Sequence, residues 1–183
     1  YVGTGQRDLA VAQLGSIKEH VAEEQLPLVL ASAYELVGEP TQAEPQYLAA
    51  VKAKPRDPLR TRSLAEFYWR TNRPRQAEEL ARRILQGDQM DVGSEDRRWA
   101  RRLLARILTA RGGYQNLLDA TKLIDENLQL GDNETDRRMK VALDQAHPSR
   151  ATREKAIESL EQMVARQGRN APGDVLGLAQ LYL

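Results

Sequence analysis

The 183-residue chain contains no cysteine, so neither a disulfide framework nor thiolate chemistry is open to it. Histidine is almost as scarce. His20 and His147 are the only two, and neither has a spaced partner of the kind that metal or hydrolytic sites use, so both are expected at the surface. No run approaches the ~18 apolar residues of a membrane span. Gly3 and Gly5 precede neither a phosphate-loop lysine nor a third spaced glycine, so the nucleotide-binding motifs fail. Asp132, Glu134 and Asp136 imitate part of a calcium loop, but Arg137 stands where the obligatory glycine belongs. These acids are better placed at a helix amino terminus, where negative charge favours the helix dipole. No catalytic residue, cofactor or metal is expected, and the chain reads as non-enzymatic.

What the chain does contain is an echo. Leu30, Ala31, Tyr34, Gly38, Ala43 and Ala50 recur thirty-four positions later as Leu64, Ala65, Tyr68, Asn72, Ala77 and Ile84. A third copy, displaced by forty, reads Leu104, Ala105, Leu108, Gly112, Leu117 and Ile124, which places six extra residues between Leu85 and Arg98. A fourth is degenerate, with Ala142 and Leu143 in a first helix and Ala156, Leu160 and Met163 in a second. The 41% hydrophobic content is dispersed in helical rows rather than concentrated in strand-like runs.

The first copy, continued through Tyr47 and Pro55, resembles the tetratricopeptide repeat: a large-small pair, an aromatic, a turn glycine, a small residue, an aromatic, a small residue and a closing proline. The second copy keeps the pattern through Ala77, then has Ala81 for the later aromatic and Gln89 for the proline. The resemblance implies an all-α, right-handed superhelical solenoid of antiparallel helix pairs, in which each pair leaves an apolar face for the next to cover. The expected segmentation is the second half of a preceding repeat over 1–23, repeats over 24–57 and 58–91, and a repeat with a longer linker over 92–131. A degenerate repeat over 132–171 and the first helix of a following one over 172–183 complete it. Tyr1, Gly5, Ala10, Leu14 and Ile17 at one end, and Leu178, Ala179 and Tyr182 at the other, continue the pattern, so the chain is expected to be an internal piece of a longer array.

Punctuation sharpens the helix limits. Gly5, Gly38, Asn72 and Gly112 fall between paired helices, where a left-handed residue ends the first helix at little cost. Pro40 and Pro74 fall at the opening of the second helix, where a missing amide donor matters least. Pro45 predicts that its helix becomes regular only near that residue, because an interior proline costs about 3 kcal/mol. Ser94 and Ser149 are candidate caps. Packing should set alanines such as Ala31, Ala65 and Ala105 against the bulk of Tyr47, Leu80 or Ile124.

A candidate binding face follows by subtraction. If Leu30, Ala31 and Tyr34 turn inward, helical geometry puts Leu28, Ser32 and Glu35 on another side. Their equivalents are Arg62, Glu66 and Trp69, then Arg102, Arg106 and Thr109, with Val29, Leu36, Ser63, Arg70 and Leu103 adjacent. Tyr68 fills the inward position, and neighbours on a helix point about 100° apart, so Trp69 is expected to be partly exposed. Trp99 is expected to cover the preceding unit.

Charge is unevenly spread. Residues 1–51 have two basic and seven acidic side chains, residues 52–111 sixteen and eight, and residues 112–183 nine and eleven, within an overall charge of +1. The basic middle, with Arg97, Arg98, Arg101, Arg102 and Arg106, is either a steering patch for an acidic partner or a solvated surface with intrahelical ion pairs. One subclass of tetratricopeptide proteins grips a terminal carboxylate with lysines, asparagines and an arginine. Leu28, Ser32, Leu59, Arg62 and Ser63 do not supply that clamp, so an internal acidic or mixed segment is the expected ligand. The leading expectation is therefore a protein-protein interaction scaffold that holds a peptide in a concave groove. Nucleic-acid binding by the basic section is the runner-up, opposed by the small net charge and 5% aromatics. Self-association through truncated solenoid ends is a third expectation.

Overall fold

The computed structural model describes residue 14 and residues 20–87, 90–167 and 172–181. Among the described residues the protein is all-helical, with no strand. The helices are α1 (Leu26–Leu36), α2 (Pro40–Ala53), α3 (Pro58–Arg70), α4 (Pro74–Gln86), α5 (Ser94–Arg111), α6 (Tyr114–Gln129), α7 (Glu134–Gln145), α8 (Arg150–Gln167) and α9 (Pro172–Leu181). α1 packs on α2, α2 on α3 and α3 on α4, and likewise α6 on α7, α7 on α8 and α8 on α9. The chain divides into two compact units, residues 1–103 and 104–183, with the division inside α5. Of the expected half-repeat over 1–23, only Leu14 and residues 20–23 are described; Gln89 and Tyr182 also lie outside the described residues.

The turns repeat in conformation as the sequence repeats. Gly38, Asn72 and Gly112 have φ of 77°, 58° and 74°. Beyond the first two, the amides of Glu39 and Arg73 reach back to the carbonyls of Tyr34 and Tyr68, each at 2.8 Å. That six-to-one closure satisfies a carbonyl at the helix end and needs a left-handed residue, which glycine or asparagine supplies most cheaply. Pro40 and Pro74 then open α2 and α4 as their first residues.

Three local expectations are corrected. Pro45 does not delay its helix: α2 is regular from Pro40 and carries Pro45 inside. The amide it lacks would have met the carbonyl of Thr41, and both residues are exposed, so the carbonyl is left unpaired on the solvent side of the helix rather than in the core. Ser94 is the first residue of α5 rather than its cap, and it is the Asp96 carboxylate that accepts the Gly93 amide at 3.0 Å. Ala142 is exposed while Val141 and Leu143 are buried, so the inward register of the fourth repeat lies beside the expected pair.

In the first unit, α3 lies between α2 and α4 and is buried on most sides, through Arg60, Thr61, Leu64, Ala65, Phe67 and Tyr68. Alanines 31, 43, 50, 65, 77 and 81 are fully enclosed, which allows close helix approach. Leu80 is only half-buried; the bulk comes instead from Tyr47, Ile84 and Phe67, the single phenylalanine of the chain. Phe67 meets Tyr47 at 5.1 Å and Tyr68 at 5.9 Å between ring centres. Arg60, almost fully buried, fastens the end of α2 to the start of α3. Its guanidinium donates to the carbonyls of Ala50 (3.1 Å) and Glu24 (2.9 Å) and to the Asp57 carboxylate (3.3 Å), while Asp57 also caps α3 through the Leu59 amide.

In the second unit, Ala105 and Leu108 of α5 pack with Ala120 and Ile124 of α6 and Leu143 of α7. Val141 joins Ala156, Leu160 and Met163 of α8, with Leu178 of α9 against them. The expected acidic helix start is found at α7. Asn133 caps it through the Thr135 and Asp136 amides, and Asp136, fully buried, accepts from Asn127 at 3.0 Å.

Candidate functional site

Most of the predicted face of the first unit is joined into one polar chain crossing α1, α3 and the start of α5. At its α1 end, Ser32 donates to the Leu28 carbonyl (3.1 Å) and lies 3.5 Å from the Tyr47 hydroxyl, which donates to Glu35 at 2.8 Å. Arg70 of α3 grips the same carboxylate with two nitrogens, at 2.5 and 2.9 Å, and reaches Glu66 one turn back at 3.4 Å. The Trp99 indole of α5 donates to Glu66 at 2.8 Å. Arg62 lies over the Trp99 ring, 5.0 Å from its centre, and donates to Asp96 at 2.9 Å. The partners stand about one repeat apart: Glu35 with Arg70, Glu66 with Trp99, Arg62 with Asp96. Such bidentate and charge-assisted bonds hold side chains in fixed directions, which is what a recognition surface requires.

An added turn of α5 supplies the Asp96 end of this chain. Ten residues separate Ser94 from Leu104, against six between Pro58 and Leu64, so four of the six inserted residues lengthen the helix and carry Asp96 toward α3. Trp99 occupies the position that Leu59 has in the second repeat, half-buried against α3 where Leu59 is exposed.

The remaining predicted residues are distributed as follows. Leu28 and Trp69 are half-buried, and Leu36 is exposed. Arg102 is half-buried, three residues beyond Trp99 on α5. Arg106 is exposed and belongs to the second unit. Leu103, expected beside the groove, is instead buried with Ala100, because the inward stripe of α5 begins before Leu104.

The basic middle is extensively paired. Arg56 with Asp91, Arg73 with both oxygens of Glu44, Arg82 with Glu78 and the buried Arg98 with Glu95 join the pairs already described. Arg73 also lies over the rings of Tyr68 and Phe67, at 4.6 and 5.1 Å.

The Arg70 hydrogen bonds hold the Glu35 carboxyl below its ordinary range; partial burial opposes them, and the Tyr47 hydroxyl adds to the lowering. Glu35 in turn raises Arg70, while burial is the main cause of the raised Tyr47. A carboxyl depressed in the folded state contributes stability that is complete above its unfolded value and is lost as pH falls through the folded one. Arg70→Gln should therefore move the Glu35 titration upward toward that of an unfolded chain, as read by NMR of the side-chain carboxyl, and should reduce the acid-dependent part of the loss of stability. An unmoved titration would show that Arg70 is not its cause.

Asp96, Trp99 and Tyr47 were not among the predicted site residues. The signal for the first two was present: opposite charges, or a carboxylate and an indole, one repeat interval apart. No protein-family model matches the chain, and no curated protein matches it.

Proposed function

We propose that this chain is part of a tetratricopeptide-like array, wound as a right-handed solenoid, and that it acts as a non-catalytic scaffold holding a protein segment on the face of α1, α3 and the start of α5. The observation that carries the reading is the polar chain from Glu35 through Arg70, Glu66 and Trp99 to Arg62 and Asp96. It fixes the first helices of three successive repeats on one side, and beside it stand the half-buried Trp69 and the apolar Leu28 and Leu36. A rigid polar frame around aromatic and aliphatic contacts is the composition of a protein interface, where tryptophan and arginine dominate binding energy. The face carries three carboxylates and two guanidinium groups already joined to one another. A segment of mixed apolar and polar character therefore suits it better than a uniformly acidic one, and the same pairings weigh against a phosphate track.

Peptides selected from a random library against this chain provide the test. A benzophenone side chain in place of the exposed Ser32 should cross-link the selected peptide, whereas the same group in place of the exposed Arg75 of α4 should not. Cross-linking from Arg75 alone would assign binding to another face.

A further inference from the structure

At the step from α3 to α5, the place beside the start of the later helix is filled from within the chain. The Arg62 guanidinium lies over the Trp99 ring at 5.0 Å, the indole N–H goes to the Glu66 carboxylate at 2.8 Å, and Trp99 is half-buried. At the step from α1 to α3, the repeat pattern puts Leu59 in the place of Trp99, Leu28 in that of Arg62 and Ser32 in that of Glu66. Leu59 is shorter than tryptophan and remains 54% exposed, so the outer part of the equivalent place is uncovered. Its chemistry differs too, because neither a guanidinium nor a carboxylate stands at the positions of Arg62 and Glu66. Ser32 gives its hydroxyl proton to the Leu28 carbonyl at 3.1 Å, and Ser63, one turn beyond Leu59, gives its own to the Leu59 carbonyl at 2.9 Å. Hydroxyls bonded back to their own helix offer a ligand no donor. Further along the same face, Glu35 and Arg70 are closed on each other. What remains is an uncharged, carbon-rich patch with polar groups around it, the form of a surface that a partner's apolar side chain covers.

We infer that this place takes a phenylalanine side chain of the bound segment, its ring covering Leu59 beside Leu28 and Ser32. The inference rests on the reading of the first-unit face as one that holds a protein segment. A ring is called for because an aromatic residue of the chain itself fills the equivalent place one repeat on. Phenylalanine suits it better than tryptophan, since an indole N–H here would lack the carboxylate that Glu66 gives to Trp99, and a donor buried without its acceptor costs affinity. A charged side chain would find no opposite charge to offset its loss of water.

The probes are peptides selected from a random library against the full chain. NMR locates them through the methyl groups of Leu28, Leu36 and Leu59 and the Trp99 indole N–H, with the exposed Leu48 of α2 as the control. Peptides that move the face signals should share a phenylalanine. Its replacement by alanine should weaken binding by about tenfold or more, the scale of burying such a side chain. In Leu59→Phe protein, which puts a ring of its own in the place, the same replacement should cost less than about twofold, because the two rings compete for one contact. Three results would overturn the inference and leave the reading of the face intact: face-binding peptides without a phenylalanine that matters, tighter binding with tryptophan in its place, or an equal alanine effect in both proteins. Peptides that move only the Leu48 signals would overturn both. The replacements measured on wild-type protein decide the question even if Leu59→Phe fails to fold.

Discussion

Phe67→Ala should destabilise the first unit by about 3–5 kcal/mol, the range for removing a fully buried phenylalanine from a packed core. Phe67 is completely enclosed, with Tyr47 of α2 on one side and Tyr68 on the other. The ring therefore joins two helix pairs, and the enclosed alanines of α2 and α4 around it have no further side chain to move into the void. Urea unfolding followed by tryptophan emission measures the loss. A cost below about 1 kcal/mol would mean that the site collapses, and that the close-packed description of α3 is wrong.

Arg60→Met should cost about 2–3 kcal/mol although it keeps most of the side-chain volume, because the carbonyls of Ala50 and Glu24 and the Asp57 carboxylate each lose a donor at a nearly enclosed position. The proper comparison is Arg82→Met. Arg82 forms an exposed pair with Glu78 one turn away, and its replacement should change stability by no more than about 0.5 kcal/mol. Equal effects in the same unfolding experiment would show that Arg60 is a surface charge like the others.

Arg60 also marks a limit of reading charge from sequence. Summed with its neighbours it contributes to a basic section, yet its charge is enclosed and bound to backbone, and nothing local distinguishes it from Arg62, two residues on. Helical character, the turn residues Gly38, Asn72 and Gly112, and the opening prolines were legible because each depends on backbone conformation within a few residues. Phe67 was not. The repeat pattern fills its inward positions with Leu64, Ala65 and Tyr68, and only the placement of α3 between two neighbours buries a further side of that helix. For the candidate face, helical geometry identified Glu35, Arg62, Glu66 and Arg70, but not that Arg70 binds both glutamates or that Arg62 meets Asp96; the latter pair depends on the added turn of α5, whose location within the six inserted residues the sequence left open. Pro45 shows the converse, a local rule outweighed because the carbonyl it leaves unpaired belongs to an exposed residue.

Isothermal titration of a selected peptide against wild-type and Trp69→Ala protein tests most directly the proposed holding of a protein segment by the face of the first unit through Trp69. Trp69 is half-buried at the end of α3, next to the arginine that anchors Glu35. Its removal should weaken binding by about tenfold or more, as expected for a central tryptophan contact. Ionic-strength dependence should stay as in the wild type, because contact area rather than charge is lost, and the helical circular dichroism should be unchanged. A folded Trp69→Ala protein that binds the peptide with wild-type affinity would contradict the account.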